Sequence, residues 1–147
     1  MQSRNDFIEL WDGAQSSGLW CASWPEALGA LTPAEAMWKP APGRHSIWQN
    51  VSHVRYWRHF AVDRAYGRPR PPEPEIQRYN FAEPAVADEA AWQACVASLT
   101  DSHAAVRAAV ADPAADFEPF KGVIAHDHYH LGQIMLLRGL QGKPPVE

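Results

Sequence analysis

The chain has 147 residues, a net charge of −4, 46% hydrophobic and 20% charged residues, which is the balance of one ordinary globular domain spanning 1–147. The acidic balance and the absence of any Lys/Arg run give no reason to expect a nucleic-acid partner, and no apolar stretch approaches the roughly 18 residues a membrane helix needs. Seven Trp and seven His are more than a plain structural bundle requires.

The start, "MQSRNDFIEL", lacks the apolar core of a signal peptide, so a cytoplasmic location is expected. Phe7, Ile8, Trp11 and Ala14 recur at helical spacing and predict a first helix near 3–16. "WPEALGAL" offers a short helical piece. "TPAE" at 32–35 is a capping box with Pro at the first helical position, opening a turn that Pro40 and Pro42 limit. "SIWQ" at 46–49 is a second capping box; it opens a long helix that runs to about Tyr66 and stops at Gly67. Proline should keep "GRPRPPEPEIQRYNFAEP" free of regular structure. The Ala-rich segment from about 86 to 111 predicts a third long helix, ended by Asp112-Pro113. A fourth begins near Pro119 and continues to about Leu140, before Gly142 and Pro144. Cys21 and Cys95 make no disulfide framework and read as small buried thiols of a reducing compartment.

No strand is predicted, so the fold class is all-α: four main helices, with one long connection between the second and third. Antiparallel neighbours need only a short loop. A proline-rich segment of this length instead spans the roughly 30 Å of the second helix, so the two helices are expected to run parallel, joined by a crossover. Ile76, Tyr79 and Phe81 argue against a loose loop.

"AHDHYHLGQI", residues 125–134, is the chemically informative stretch. Residues four apart on a helix share a face, so His126 and His130 can reach one metal ion, while His128 points to the opposite side. The stripe Val123, His126, His130, Gln133, Ile134 and Leu137 is the inward face. Two buried, hydrogen-bonded histidines account for the spacing as well as a metal does, and a metal needs a third ligand. His53, midway along the second long helix with Asn50, Trp57 and Phe60 on its face, is best placed. His59 should be exposed, His45 should help cap the helix, and His103 should lie at the surface. Three neutral imidazoles leave coordination positions open, as in a catalytic site rather than a closed structural one. Asp127 replaces the glutamate of HExxH, and the Glu-x-x-His pairs of a two-metal bundle are missing.

"HSIWQNVSHVRYW", followed about 70 residues later by "HDHYHLGQIMLLRGLQG", resembles the DinB-like (YfiT-like) superfamily of metal-binding helical bundles, and the lead-in "LTPAEAMWKPAPGRHSIW" resembles the stretch before that family's second helix. The resemblance implies a four-helix bundle with a long crossover after helix 2, and a metal triad that falls on His53, His126 and His130. It implies one divalent ion per chain, zinc or nickel, and a homodimer. Characterised relatives include thiol S-transferases that use low-molecular-weight thiols and a thiol-dependent isomerase. A metal-dependent transferase acting on a small-molecule electrophile with a thiol cosubstrate is therefore expected first. A metal-dependent hydrolase and a non-catalytic metal- or ligand-binding stress protein stay open. Around the triad, Gln133 could orient a ligand or simply be a polar interface residue. Asp127 could hold a ligand imidazole, although its angle on the helix argues against it. Trp57, Tyr129 and Trp48 line a pocket or belong to the core. Gly132, costly in a helix interior by about 1 kcal/mol, should permit close helix approach. Metal affinity should weaken as pH falls through and below about 6.5, the unperturbed imidazole pKa.

Overall fold

The computed structural model describes residues 3–17 and 19–146. Among them the chain forms seven α-helices and one 3₁₀ turn: α1 Arg4–Ser16, α2 Trp24–Leu28, α3 Pro33–Met37, α4 Ile47–Ala65, α5 Glu73–Tyr79, α6 Glu89–Ala111, the 3₁₀ turn Glu118–Phe120, and α7 Val123–Leu140. The starts are chemically specified. Ser3/Asp6, Ser23/Glu26, Thr32/Glu35 and Ser46/Gln49 are complete capping boxes, in which each side chain satisfies a backbone N–H that the helix leaves unpaired. The stop after α4 is Gly67, at φ +70, a left-handed position that glycine adopts without steric cost.

Contacts along the long helices fix their directions. Trp48 packs on Trp92, Arg55 donates to Ser98, Arg58 reaches Leu99 and Ser102, and the Ala65 carbonyl accepts from Asp116. Partners advance together, so α4 and α6 run the same way. Between α4 and α7 the order reverses: Asn50 meets His130 and His53 meets His126, while the long Arg58 side chain reaches back to Asp127. The connection from 66 to 88 leaves the end of α4 and returns along it, where Trp57, near its middle, donates to Asn80 and Gln49, near its start, donates to the Phe81 carbonyl.

Two apolar clusters fill the bundle. One gathers Ile47, Trp48, Val51, Trp92, Leu99, Ile134 and the short helices α2 and α3; the other gathers Phe7, Trp11, Ala61, Val106, Val110 and Phe120. Along α4, α6 and α7 a buried polar belt lies where one cluster gives way to the other: Asn50, His53, Arg58, Ser102, His103, Asp127 and His130.

Four expectations about the connection and the packing need correction. The proline segment is not devoid of structure: Pro72 sets the cap and Pro74 falls in the first turn of α5, where a missing N–H costs nothing, and Ile76 anchors that helix in the protein. Cys95 is buried but Cys21 is exposed. His103 is buried, stacked on Trp11 and within 3.4 Å of Asp12, because the inward face of α6 turns it toward α1. A Cβ on Gly132 would meet nothing within 4 Å, so no neighbouring helix of the chain approaches closely there.

Candidate metal centre

The middle of α4 and the first half of α7 bring His53, His126 and His130 together. One ring nitrogen from each lies within 4.8 Å of the others, and His53 Nε2 is 3.0 Å from His126 Nε2. His53 and His130 are buried; His126 is half-buried. The remaining histidines stay apart. His128 Nδ1–H donates to the Ile124 carbonyl on another face of α7, and His59 is exposed. His45 does not cap α4, because Ser46 does; it stacks on Phe81.

The hydrogen bonds behind the triad decide its tautomers. Trp57 Nε1–H can only donate, and it donates to Asn80 Oδ1 at 3.2 Å. That fixes the Asn80 amide, whose oxygen also lies 2.5 Å from His53 Nδ1. His53 must therefore carry its proton on Nδ1, leaving the Nε2 lone pair toward the cluster. The same logic holds for His130. The Ser46 carbonyl can only accept, so Asn50 gives it Nδ2–H at 2.8 Å and offers Oδ1 to His130 Nδ1 at 3.0 Å. A lone pair on Nε2 is what a metal needs, and an acceptor behind Nδ1 orients the ring and raises its basicity.

His126 has a weaker version of this arrangement. Its Nδ1 is 3.6 Å from Asp127 Oδ1. The carboxylate's main commitment is elsewhere: Asp127 Oδ2 accepts from Arg58 Nε at 2.8 Å and from Nη2 at 2.7 Å. Arg58 also donates to the Leu99 carbonyl and Ser102 Oγ, and lies over the Trp11 and Trp24 rings. Asp127 Oδ1 is buried with no hydrogen-bond partner among the described residues.

Burial pushes the His53 and His130 pKa values down to about 4, each reinforced by a neighbouring imidazole of the triad. Both rings are thus neutral at pH 7. Two Nε2 atoms 3.0 Å apart repel unless a proton or a cation lies between them. Tetrahedral coordination at a Zn–N distance of about 2.0 Å puts ligand nitrogens roughly 3.3 Å apart. The three-histidine donor set and its spacing fit a single divalent ion.

Phe81 closes one side. Its ring is sandwiched between His45 at 3.8 Å and His53 at 4.0 Å, and its backbone has φ +54, a left-handed conformation that costs a non-glycine residue roughly 1–2 kcal/mol. Two clefts flank the histidines. One, of about 340 Å³, reaches from His126 past Trp57 and Phe60; the other, of about 480 Å³, borders Asn50, His45, Arg44 and Gln133. Tyr129 is mostly exposed and meets the His130 ring edge-on at 5.0 Å. Trp48 lines neither cleft and belongs to the core. Asn80 escaped the sequence reading, since it lies in a proline-rich connection with no periodicity.

The profile of the DinB superfamily matches residues 21–134. The chain belongs to the DinB superfamily. No curated protein and no solved structure compared with it gives a match. The DinB match spans α2 through most of α7 and includes all three histidines, so the possible metal site of this DinB bundle lies within the segment that defines the family. No described helix is long and apolar enough to cross a membrane.

Proposed function

We propose that this DinB-superfamily bundle is a divalent-metal-dependent enzyme that transfers a low-molecular-weight thiol to a small electrophile. The observation that carries the reading is the convergence of three imidazoles, two of them held as Nδ1–H tautomers with Nε2 turned to a common point. A zinc or nickel ion there would keep a thiol ionised near neutral pH, the form that attacks carbon. Asn80 aims the His53 ring and Asn50 the His130 ring, and Phe81 covers one face of His53. In the reaction a sulfur–carbon bond forms, the electrophile's leaving group departs with the bonding pair, and the thiol proton passes to solvent. The two clefts give separate room for two reactants.

Hydrolysis is the second reading, and one observation disfavours it. The nearest carboxylate, Asp127, is locked to Arg58 rather than free to act as a base on water. Cytoplasmic residence, where small thiols are abundant, belongs to the same proposal. So does a homodimer, supported by the exposed Tyr129, Leu136 and Leu140 on α7 and tested by light scattering of the native protein.

Metal content and turnover test the reading together. Purified protein should hold one divalent ion per chain, and His53→Ala, His126→Ala or His130→Ala should lose most of it. With an alkyl or aryl halide as electrophile and a panel of cellular thiols, halide release should require both thiol and metal and disappear in His130→Ala. Equal cleavage of an ester or amide without thiol would establish the hydrolase instead. Metal binding with no turnover in either assay would leave a binding protein.

A further inference from the structure

The cleft beside His126 has a specific chemical character. Its walls are apolar: Trp57 and Phe60 from α4, Pro119 from the 3₁₀ turn and Val123 from α7. One end is His126, a member of the triad. The other is Arg64, on the same face of α4 as Trp57 and Phe60. From residue 57 to residue 64 the helix rises about 10 Å, the length of a substituted aromatic ring with a short side chain. No Asp or Glu lines the cleft.

Arg64 is the feature that apolar packing does not explain. Among the described residues it takes part in no ion pair. Asp63, its neighbour, is taken by Arg68, and the one hydrogen bond seen for the Arg64 side chain goes from Nη1 to the Arg68 carbonyl at 2.9 Å. Guanidinium carries five N–H donors in a planar fork suited to a carboxylate. Arg64 is exposed, so an acidic chain of net charge −4 presents a solvated guanidinium, with no ion-pair partner among the described residues, at one end of an apolar slot whose other end is the histidine cluster.

We propose that the slot binds the acceptor substrate, and that this substrate is an apolar, aromatic-sized molecule with a terminal carboxylate. The carboxylate meets Arg64, the body lies against Trp57 and Phe60, and the reactive carbon faces His126. Its assignment as the acceptor side rests on the thiol-transfer reading above; its ligand chemistry does not. The slot selects by charge at one end and by shape along its length, so neutral analogues of equal size bind more weakly.

Inert probes separate the two claims. Binding of 4-phenylbutyrate and of its neutral isostere 4-phenylbutanamide is measured by calorimetry, on zinc-loaded and on metal-free protein. A charge-assisted hydrogen bond corresponds to roughly a tenfold or greater preference. The carboxylate should bind at least tenfold more tightly in both forms; Arg64→Gln should abolish the preference, and Arg64→Lys should restore part of it. Equal binding of the two probes overturns the proposal. So does a preference that appears only with zinc and survives in Arg64→Gln, because the ion itself would then hold the carboxylate. A preference that depends on Arg64, in a protein without thiol-dependent turnover, would sink the transferase reading and leave the ligand class standing.

Discussion

Arg58 and His53 lie on the same helix, and each faces α7 from the buried belt, yet they are complemented in opposite ways. Arg58 has carboxylate, carbonyl, hydroxyl and two indole faces around it, so its charge is matched inside the protein. His53 has an acceptor behind Nδ1 and another imidazole nitrogen in front of Nε2, so its front is left for something from outside. A closed polar cluster holds a fold in one register. An open one, held equally firmly from behind, is a site. What separates them is whether donors and acceptors balance without a ligand.

The comparison breaks most sharply at the closed cluster. Arg58→Met leaves Asp127 buried and unpaired, and such a loss costs about 3–5 kcal/mol; chemical denaturation should show it in metal-free protein. Arg58→Met combined with Asp127→Leu should recover much of that loss, because the uncompensated charge is then gone.

Acid probes the open cluster next. His53 and His130 titrate near 4 in the folded protein and near 6.5 once unfolded. As pH falls below 6.5 the unfolded chain takes up protons that the native state refuses, so stability present above 6.5 is lost progressively down to about 4. The loss is on the order of 2 kcal/mol for each histidine and is read from denaturation midpoints of metal-free protein. The same shifts revise the pH expectation for metal binding. Proton competition at His53 and His130 moves from the ordinary imidazole range to about pH 4, so their share of the affinity should persist through pH 6. An affinity that collapses at 6.5 would place the competition at another ligand.

Asn80→Ala is a smaller and more local change. It removes the acceptor behind His53 without touching a metal-directed atom. Loss of such a partner lowers metal affinity roughly 10–100-fold, measured by competition with a chelator, and Asn50→Ala should act alike through His130. His59→Ala and His128→Ala mark the floor: neither joins the triad, and both should keep the ion, with stability within about 0.5 kcal/mol for the exposed His59.

Much of this was legible in the chain. Four capping boxes follow a local rule, two of them at sites the sequence had marked, Thr32 and Ser46. His126 and His130 follow from helical spacing, and His53 from its place on a facing helix. What stayed hidden depends on contacts between distant segments. Nothing local says that Asn80 turns toward His53, that α1 covers His103, or that Asp127 spends its charge on Arg58. Gly132 misled for the opposite reason: the cost of glycine in a helix is a local fact, but whatever offsets it is not within the described chain.

The sandwich of Phe81 between His45 and His53 makes the 66–88 connection a clasp across the metal-directed face. Its grip is the sum of ring stacking, the Gln49 bond to the Phe81 carbonyl and the Asn80 bond to His53, set against a strained backbone. Locking the His53 ring should tighten all three together. Amide hydrogens of this segment, that of Asn80 first, which donates to the Ile76 carbonyl, should then exchange more slowly with zinc than without it, and trypsin should cut more slowly after Arg78. A stretch of chain outside the ligand set would thereby report, by its accessibility to solvent and protease, whether the centre is filled.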